Sequence, residues 1–497
     1  MAGKHGVYPK EVIPPKSQYY DSGRFGRLFG KLPPFASDTP IIRRALTELG
    51  RAGGIMDAMD DLTQGPVKLI TVPALSNGNP NNPRLTAGMT FLGQFLDHDM
   101  TLDPTSSLER QADPEQIANF RTPTLGLDNL YGTGPGASPH LYDQRAGRGI
   151  KFLVEEIGTP GKFDLPRNSQ GTALIGDPRN DENMIVSQLH VAFLRFHNAV
   201  VDYVEAEIGL TDTGEIFAEA QRIVRWHYQW IILHEFLPLT CGEAIVERVL
   251  KHGRKFYKWR NEPFIPVEFS VAAYRFGHSQ VRPSYRANFT GNPGGTPFFA
   301  MVFAPPGVGN PADPDDLSGS VRAPRRFLDW PTFFDFGDGN VRPNKKIDTI
   351  LSTALFKLPA SVVANPNPAS NPQSLAQRNL LRHLTFSLPS GQRVAKAMGL
   401  PSLPDGNFDD LRPFGLENRA PLWFYVLREA SDIANGEHLG PVGGRIVTEV
   451  FVGLLQGDNA SYLSQEPDWE PFLPTIDPAR EGEDFRMIDL LRFAGVA

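Results

Sequence analysis

The sequence has almost no cysteine. Cys241 is the one thiol among 497 residues, so no internal disulfide can form. This excludes the small extracellular folds that depend on disulfides, and the chain must be held by packing, with or without a cofactor. The length exceeds that of a usual single domain, although a large helical enzyme can reach it around one core.

The sequence also lacks long apolar runs and blocks of positive charge. No 18 consecutive residues are apolar, and residues 1–10 contain no apolar stretch of the kind that a cleavable secretory signal requires. We therefore expect no membrane span, and a cytoplasmic protein or one secreted without a cleavable signal peptide. The formal net charge of −7 and the scattered charges argue against nucleic acid as a partner. No motif indicates a partner protein.

Glycine and proline are abundant, with 47 and 45 residues, and they cluster between helical patterns. Because 40% of the residues are apolar, this composition favours long ordered loops over disorder. The strongest helical stripe is formed by Leu189, Phe193, Phe196 and Val200. We predict a mainly α fold with little β structure, in which an irregular arm over residues 1–84 packs on a core domain over residues 85–497.

Apolar spacing and end signals predict the individual elements. A long helix over 187–208 is closed by Gly209, and a second over 215–237 has Thr213 as its cap and Pro238 as its stop. Shorter helices are predicted over 40–52, 268–280, 346–357, 372–384, 390–398, 422–434 and 443–455, and a strand over 149–154.

The most informative stretch is residues 91–99, FLGQFLDHD, an apolar helical segment that ends in Asp97, His98 and Asp99. Unpaired buried charge is costly, so these groups need a reason to follow an apolar helix. Gln94 lies one helical turn before His98, which brings an amide and an imidazole together. Such a pair suits a pocket where a small polar molecule is held and a proton is moved.

Four further segments carry candidate functional side chains. Residues 176–183, GDPRNDEN, place Arg179 and Glu182 before the long helix. Residues 274–278, YRFGH, end in His278, and Gly277 before it allows a flat ligand to approach the backbone. Residues 379–382, NLLR, begin with the amide of Asn379, and residues 122–128 form a polar loop.

These segments, in this order, resemble those of the animal haem peroxidases of the peroxidase-cyclooxygenase superfamily, including bacterial members. The resemblance runs from about residue 85 to the C-terminus. It implies an α-helical fold with one haem b between central helices. It also implies a peroxidase that reduces hydrogen peroxide through a ferryl intermediate and oxidises iodide, bromide, thiocyanate or phenolic donors.

The resemblance assigns roles on both sides of the haem. His98 is implied as the distal base that moves the peroxide proton, Arg179 as the cation that stabilises the departing hydroxide, and Gln94 as the partner of distal water or a small anion. His278 is implied as the iron ligand, with Asn379 bonded to its other ring nitrogen.

The remaining cofactor contacts follow from the same resemblance. Arg275 is placed to pair with a haem propionate. Asp97 and Glu182 match two carboxylates that form ester links to haem in mammalian members, which makes both candidates for covalent attachment. Asn183 stands where myeloperoxidase has a methionine, so the sulfonium link of that protein cannot form here.

A calcium site is also a candidate. Asp99, Thr122, Thr124 and Asp128 match the calcium loop of the family, but Gly126 stands where an aspartate belongs. One carboxylate fewer lowers the affinity for a hard cation.

Three other functions compete with this reading. A fatty-acid dioxygenase of the cyclooxygenase branch shares the two histidines, but its radical tyrosine would stand three residues before His278, where this chain has Arg275 and places Tyr274 one position away. A metal-dependent phosphohydrolase would use His98 and Asp99 as its metal ligands. A haem-containing adhesion protein would need no distal histidine–arginine pair.

Each candidate also has a purely structural interpretation. His98 and His278 could be core histidines, and Arg179 could form a buried pair with Asp177 or Asp181. We interpret four histidines in the long helices as structural, namely His190, His197, His227 and His234.

Overall fold

The computed structural model describes residues 25–497 except 103–110, 112, 115–118, 260–261, 292–294, 305–309, 361, 364 and 369. Helices dominate this part of the chain, which confirms the mainly α prediction. The α-helices are α1 (Pro40–Leu49), α2 (Gly65–Thr71), α3 (Ala87–Met100), α4 (Asp128–Tyr131), α5 (Met184–Tyr203), α6 (Thr213–Ile231), α7 (Leu237–Cys241), α8 (Glu243–His252), α9 (Leu375–Thr385), α10 (Gly391–Met398), α11 (Leu422–Ala434), α12 (Pro441–Gly457), α13 (Tyr462–Gln465) and α14 (Met487–Phe493).

The strands are short and occur as four separate pairs in the described residues. One pair, β1 with β5, is parallel, and the pairs β2 with β8, β3 with β4 and β6 with β7 are antiparallel. Their ranges are β1 (Phe25–Gly26), β2 (Asn81–Thr86), β3 (Glu155–Glu156), β4 (Phe163–Asp164), β5 (Ile265–Pro266), β6 (Ser284–Arg286), β7 (Phe299–Met301) and β8 (Pro343–Lys345). The strand predicted over 149–154 is wrong, because Phe152 makes only an isolated bridge with Tyr142.

Most predicted helices are present. The segment over 422–434 matches α11, and α5 runs into one π-helical turn, Val204–Ile208, that ends at Gly209 with φ +79°. Two predictions about the second long helix are wrong. Its cap is Asp212, whose carboxylate accepts from Gly214 N and Glu215 N.

Proline at position 238 does not stop that helix. The helical run continues through a π-helical turn over Ile232–Phe236 into α7. Pro238 lies in the first turn of α7, where the missing backbone N–H costs little. The helix then ends at Gly242, which has φ +87°. The helix predicted over 346–357 is reduced to a 3₁₀ turn over Thr353–Phe356.

The segment that carries His278 is not a regular helix. It consists of a π-helical turn over Glu268–Ala272 followed by a 3₁₀ helix over Ala273–Gln280. The buried carboxylate of Glu268 accepts from Leu28 N and Phe29 N, both at 3.0 Å, which joins the described part of the arm to this segment. Residues 1–24 of the arm lie outside the described residues, and the domain boundary at residue 84 stays a prediction.

A single apolar cluster runs through the molecule and surrounds α3, α5, α6, α11 and α12. On α3, Phe95 faces this cluster and stacks on Phe193 of α5 with ring centroids 4.7 Å apart. Gly88 allows α3 to approach the backbone of Phe333, since a Cβ there would lie 2.6 Å from its carbonyl oxygen. Among the described residues, no helix combines the length and apolarity needed to cross a membrane.

Candidate active site

A cavity of about 420 Å³ lies between α3, the 3₁₀ turn over Pro178–Asp181, the segment over 268–280 and α9. Seven of the residues predicted for the site line it: Gln94, Asp97, His98, Arg179, Glu182, Arg275 and His278. Asn379 stands behind His278. The structure therefore brings together side chains that lie up to 285 positions apart in the sequence, Gln94 and Asn379 being the two ends.

His98 lies near the end of α3 and is 4% exposed. Its Nδ1 is 2.8 Å from Oδ1 of Asn180, so Nδ1–H donates to that oxygen and Nε2 carries no proton. Burial and the nearby guanidinium of Arg179 lower the pKa of His98 to about 4. The imidazole is therefore neutral at neutral pH and has a nitrogen able to accept a proton.

Arg179 is held by a buried carboxylate. Its Nε and Nη2 donate to Asp177 at 3.1 and 2.8 Å, and Nη2 also donates to the carbonyl oxygen of His98 at 3.0 Å. Arg121 donates to the same carboxylate from its Nε at 2.8 Å. Burial alone would raise the pKa of Asp177, but the two guanidiniums hold it below its usual range.

The structural interpretation of Arg179 as one half of a buried pair with Asp177 is therefore correct. It does not replace the functional one, because Arg179 also lines the cavity. The carboxylate of Asp177 is shared by two guanidiniums, which leaves an excess positive charge beside His98.

Gln94 is held on both sides of its amide. Nε2 donates to Glu182 at 3.2 Å, and Oε1 accepts from Nδ2 of Asn183 at 3.2 Å. Oδ1 of Asn183 caps α5 by accepting from Ile185 N and Val186 N. Burial raises the pKa of Glu182 to about 7. Asn183, which stands where myeloperoxidase has a methionine, thus caps the N-terminus of α5 and orients the amide of Gln94.

His278 is paired with the amide of Asn379, whose Nδ2 lies 2.8 Å from the ring Nδ1. In this orientation Nδ2 donates and the ring proton sits on Nε2. A half-turn of the amide occupies the same space, presents Oδ1 to Nδ1–H and frees Nε2 for a metal. Burial and the guanidinium of Arg275 lower the pKa of His278 to about 3, so the ring is neutral.

The 3₁₀ segment under His278 is anchored by α9 and α11. Nε1 of Trp423 donates to the carbonyl oxygen of Arg275 at 3.1 Å, and the backbone N–H of Trp423 donates to Nε2 of His383 at 3.0 Å. Nδ1 of His383 donates in turn to the carbonyl oxygen of Asn379 at 2.8 Å. The two residues of the proximal pair are thus connected through backbone as well as side chains.

The residues present fit a haem. A Cβ built on Gly277 would meet no atom within 4 Å, so the backbone beside His278 borders open space in which a flat ring can lie. Two guanidiniums, Arg275 and Arg382, line the cavity, which matches the two propionates of haem b. Apolar side chains complete the lining, among them Phe276, Val302, Leu355 and Leu358.

The loop after α3 brings the candidate calcium ligands together. Asp99 is 1% exposed; its Oδ2 accepts from Leu127 N at 3.0 Å and from Tyr228 Oη at 3.2 Å, and its Oδ1 has no hydrogen-bond partner among the described residues. Burial and Asp128 raise the pKa of Asp99 to about 7. A Cβ on Gly126 would lie 3.2 Å from Oγ1 of Thr124 and 3.6 Å from Oδ1 of Asp128.

This loop holds only two carboxylates. In the part of the chain that the structure describes, no group of three or more histidine, cysteine, aspartate or glutamate side chains could hold a metal ion. A cation here would need threonine and backbone oxygens as well. Thr122 contributes its carbonyl oxygen to Thr124 N at 2.8 Å, which keeps the loop tight.

The phosphohydrolase alternative requires His98 and Asp99 to face one metal ion. The structure points them to different partners, since His98 binds Asn180 and Asp99 binds Leu127 and Tyr228. Consecutive helical residues diverge by about 100°, which explains the separation.

Sequence reasoning missed Asn180, Tyr274 and Arg382 as site residues. Asn180 contacts His98, Tyr274 lines the cavity while its hydroxyl donates to Gly93 O at 2.9 Å, and Arg382 also lines the cavity. Each lies in the same short sequence segment as a residue that was predicted for the site. Their side-chain directions depend on turns that periodicity does not predict.

Removal from solvent lowers the pKa of six histidines in the described residues to about 3 or about 4: His98, His190, His197, His227, His278 and His383. Of those interpreted as structural, His197 bonds Tyr131 and the Ile150 carbonyl, away from the cavity lining. His190 differs, because its Nδ1 contacts Nδ2 of Asn180 at 2.9 Å.

Comparison with known proteins agrees with this geometry. Residues 107–306 match the family model "Animal haem peroxidase". Peroxidasin of Drosophila melanogaster is 24% identical over 395 residues, covering 76% of this chain and 24% of that protein. Thyroid peroxidase of Canis lupus familiaris is 27% identical over 205 residues, covering 37% of this chain and 22% of the relative. The chain thus spans about a quarter of the length of these two relatives.

Two solved structures share the fold over nearly the whole chain. Peroxidase A from Dictyostelium discoideum has a TM-score of 0.59 at 17% identity, covering 99% of this chain and 96% of that one. The fatty acid alpha-dioxygenase of Oryza sativa has a TM-score of 0.57 at 14% identity, covering 99% and 84%. The family match over residues 107–306 and the alignment to peroxidasin thus make this chain similar to the animal haem peroxidases, and the two solved structures show that the fold is shared.

Proposed function

We propose that this protein binds haem b, reduces hydrogen peroxide and oxidises small anions or phenols. The observation that carries the proposal is the pair of neutral imidazoles, His98 and His278, that line one buried cavity with an asparagine bonded to each Nδ1. One imidazole suits a proton acceptor and the other a metal ligand.

The residues of the distal wall can perform the proton transfer. Bound haem would supply a redox-active iron, and hydrogen peroxide is the two-electron oxidant. His98 Nε2 takes the proton from the first peroxide oxygen and returns it to the second as the bond between them breaks. Arg179 stabilises the negative charge that develops on the departing oxygen, because its guanidinium stays charged and is fixed by Asp177.

The other residues would hold the cofactor. His278 would ligate the iron after the amide of Asn379 turns its oxygen to Nδ1–H, and Arg275 and Arg382 would bind the propionates. We further propose Asp97 and Glu182 as the positions of ester links, since both line the cavity. Each link would replace one C–H bond of a haem methyl group by a C–O bond, a two-electron oxidation in which one hydrogen peroxide would be reduced to two waters. The raised pKa of Glu182 supports this proposal, because a carboxyl group that is partly protonated at neutral pH loses less solvation energy when it packs against a haem methyl group.

A calcium ion at Asp99 is also part of the proposal. The buried Oδ1 of Asp99, which has no hydrogen-bond partner in the described part of the chain, and its carboxylate neighbour Asp128 support a cation there. The missing carboxylate at Gly126 predicts weaker binding than an aspartate at that position would give.

The fatty-acid dioxygenase is the alternative, because the fold is shared with that class. Arg275 argues against it, since an arginine at this position cannot form the tyrosyl radical that the reaction needs. The hydroxyl of neighbouring Tyr274 is bound to Gly93 O at 2.9 Å. We therefore favour the peroxidase.

The test is the absorption spectrum of the purified, haem-supplied protein before and after one equivalent of hydrogen peroxide. A Soret band that shifts within seconds and returns on adding iodide or a phenol supports the peroxidase. Consumption of a fatty acid and O₂ without a donor would favour the dioxygenase, and absence of a Soret band would refute haem binding.

Haem that stays with the chain in acidified organic solvent would support the ester links, with Glu182→Gln and Asp97→Asn as variants.

A further inference from the structure

Three buried side chains form a chain of hydrogen bonds behind the distal histidine. Nδ1 of His98 is 2.8 Å from Oδ1 of Asn180, and Nδ2 of Asn180 is 2.9 Å from Nδ1 of His190. The exposed fractions of the three residues are 4%, 0% and 0%. The three side chains are thus shielded from bulk solvent, and the orientation of the amide is coupled to the positions of the ring protons.

Both sequence neighbours of Asn180 form buried ion pairs. Arg179 before it is bonded to Asp177, and Asp181 after it accepts from both Nη atoms of Arg167 at 2.6 and 2.9 Å. Asn180 N–H also donates to Asp177 O at 3.1 Å, which closes the 3₁₀ turn. With both flanking side chains fixed in ion pairs, the side chain of Asn180 is directed inward.

The partner on α5 is equally fixed. His190 packs edge-on against Phe95 of α3 with ring centroids 6.2 Å apart, and its pKa is lowered by burial to about 3. It is therefore a neutral ring with one acceptor nitrogen. In the observed arrangement Nδ1 of His190 accepts from Asn180, and the proton of His190 is on Nε2, which has no hydrogen-bond partner among the described residues.

We infer that Asn180 is a positioning residue that keeps His98 in the tautomer with a bare Nε2, and that the amide orientation of Asn180 is coupled to the tautomer of His190, whose Nδ1 accepts from Nδ2 of Asn180. The opposite amide orientation would present Nδ2–H to Nδ1 of His98 and move the proton of that ring to Nε2. A ring with Nε2–H cannot take a proton from peroxide. The inference rests on the proposed function for its purpose, but the tautomer itself does not depend on haem.

A neutron structure of the protein tests the tautomer directly. We expect a deuteron on Nδ1 of His98 directed at Oδ1 of Asn180, and a deuteron on Nε2 of His190. A deuteron on Nε2 of neutral His98 would overturn the inference. This readout is independent of haem loading and of activity.

Cyanide binding to the ferric holoenzyme tests the consequence. Hydrogen cyanide must give its proton to a base as its carbon binds the iron, so the rate constant reports the availability of Nε2. We expect Asn180→Leu to slow cyanide binding and the reaction with peroxide together by about 10–100-fold, as removal of an outer-shell partner of a histidine commonly does. Asn180→Asp keeps an acceptor for Nδ1–H and should recover most of the loss.

His190 offers a milder pair of variants if Asn180→Leu does not fold. His190→Gln can still accept from Asn180, whereas His190→Phe cannot, and only the second should slow cyanide binding. The matched control is His197→Phe, which removes another buried histidine of α5 that bonds Tyr131 and the Ile150 carbonyl instead. The control should lower the melting temperature without changing the cyanide rate of the protein that remains folded.

The outcomes separate the two ideas. Unchanged cyanide rates in folded, haem-loaded Asn180→Leu and His190→Phe would overturn the role of the network even if the wild type is an active peroxidase. A wild type that binds cyanide with this pattern of variants, yet does not react with peroxide, would refute the proposed function and leave the positioning role intact.

Discussion

The two walls of the cavity contain the same pair, a histidine with an asparagine amide 2.8 Å from its Nδ1, but they present different amide atoms to the ring. On the distal side Oδ1 of Asn180 faces His98, so Nε2 is already bare. On the proximal side Nδ2 of Asn379 faces His278, so Nε2 carries the proton. The distal histidine is thus prepared before any cofactor binds, whereas the proximal one needs the amide of Asn379 to turn.

The surroundings explain the difference. The distal amide is held from behind by His190 at 2.9 Å. The proximal amide has a long contact from its Oδ1 to Nη1 of Arg275, at 3.4 Å. This long contact is weak, so Asn379 can turn towards a metal-bound His278 once Arg275 binds another acceptor. A turn of Asn180 would also require the ring proton of His190 to move from Nε2 to Nδ1. The two asparagines are therefore coupled to different partners, a guanidinium on the proximal side and a second imidazole on the distal side.

The largest expected difference is in haem binding, between variants that lack His278 and variants that lack His98. His278→Ala should abolish stable haem binding, seen as loss of the Soret band after gel filtration, because it removes the proposed iron ligand. His98→Ala should retain the band but slow the first reaction with peroxide by about 10²–10⁴-fold, the usual contribution of a general base. Exposed His252→Gln is the control. The reverse pattern, with haem lost only from His98→Ala, would interchange the two walls.

Arg179→Ala should slow the same step by about 10²–10³-fold, as expected when a charged group that stabilises developing negative charge is removed. Stopped-flow absorbance measures it. Arg167→Ala is the control for the turn: it removes the neighbouring buried ion pair with Asp181, which helps to direct Asn180, but it leaves the guanidinium of Arg179 in the cavity, so it should slow the step less than Arg179→Ala. Equal slowing in the two variants would mean that the turn, and not the guanidinium of Arg179, is what matters.

Asn379→Ala should weaken haem binding by about 10–100-fold, since it removes the partner that orients the proposed ligand. Asn379→Asp should retain haem and lower its reduction potential, because a carboxylate gives the imidazole of His278 more anionic character. Spectroelectrochemistry measures the potential. An unchanged potential in Asn379→Asp would contradict the proposed contact in the haem-bound protein.

The pH dependence of the peroxide reaction should report the lowered pKa of His98. The ring works as a base only when it is neutral, so the rate constant should be level from neutral pH down to about pH 5 and fall about tenfold per unit below the pKa of about 4. A fall centred near the ordinary histidine value, in the wild type, would show that His98 is more solvated than the structure indicates.

The smallest expected effect concerns the loop next to the distal helix. Gly126→Asp should bind calcium more tightly by about tenfold, or about 1.4 kcal/mol, because it adds a carboxylate beside Thr124 and Asp128. Calorimetric titration of the two proteins measures the difference, and Gly126→Asn controls for added bulk. Equal affinity of Gly126→Asp and wild type would place calcium, if it binds at all, elsewhere.

Much of the site could be predicted from the sequence because its residues occur in short segments with a fixed chemical pattern. Gln94 and His98 follow from helical spacing, and Arg179, Arg275 and His278 were found through motif resemblance, with all five lining one cavity. The role of Asn180 could not be predicted. Its direction depends on a 3₁₀ turn and on the ion pairs of its neighbours, and both are formed with distant residues.

The helices show the same limit. Helix α11 ends at Asn435 in the left-handed conformation and begins after Pro421, so strong local signals fix both ends. The segment around His278 reads as an ordinary helix in the sequence, yet it forms a π turn and a 3₁₀ helix. Contacts with α9 and α11, such as the bond from Trp423 to the carbonyl oxygen of Arg275, impose that backbone. Local propensity does not contain this information.

The six histidines with lowered pKa values have a consequence for acid tolerance. Each stays neutral in the folded chain down to about pH 4, whereas an unfolded histidine takes up its proton near pH 6.5. Unfolding therefore consumes protons in this interval, and each such histidine lowers the free energy of unfolding by up to about 1.4 kcal/mol per pH unit as the solution becomes more acid.

Buried carboxyls act in the opposite direction over part of that range. Glu235 and Glu429, whose pKa values burial raises to about 7, keep protons that an unfolded glutamate releases above about pH 4.5. Between about pH 4.5 and 6.5 the two sets of groups act in opposite directions on the free energy of unfolding. Below that interval the raised carboxyls no longer compensate, and both the histidines and Asp177, whose pKa is lowered in the folded chain, take up protons on unfolding. Acid unfolding should therefore occur over a narrow range of pH, and a brief exposure to acid would release any ligand bound in the cavity.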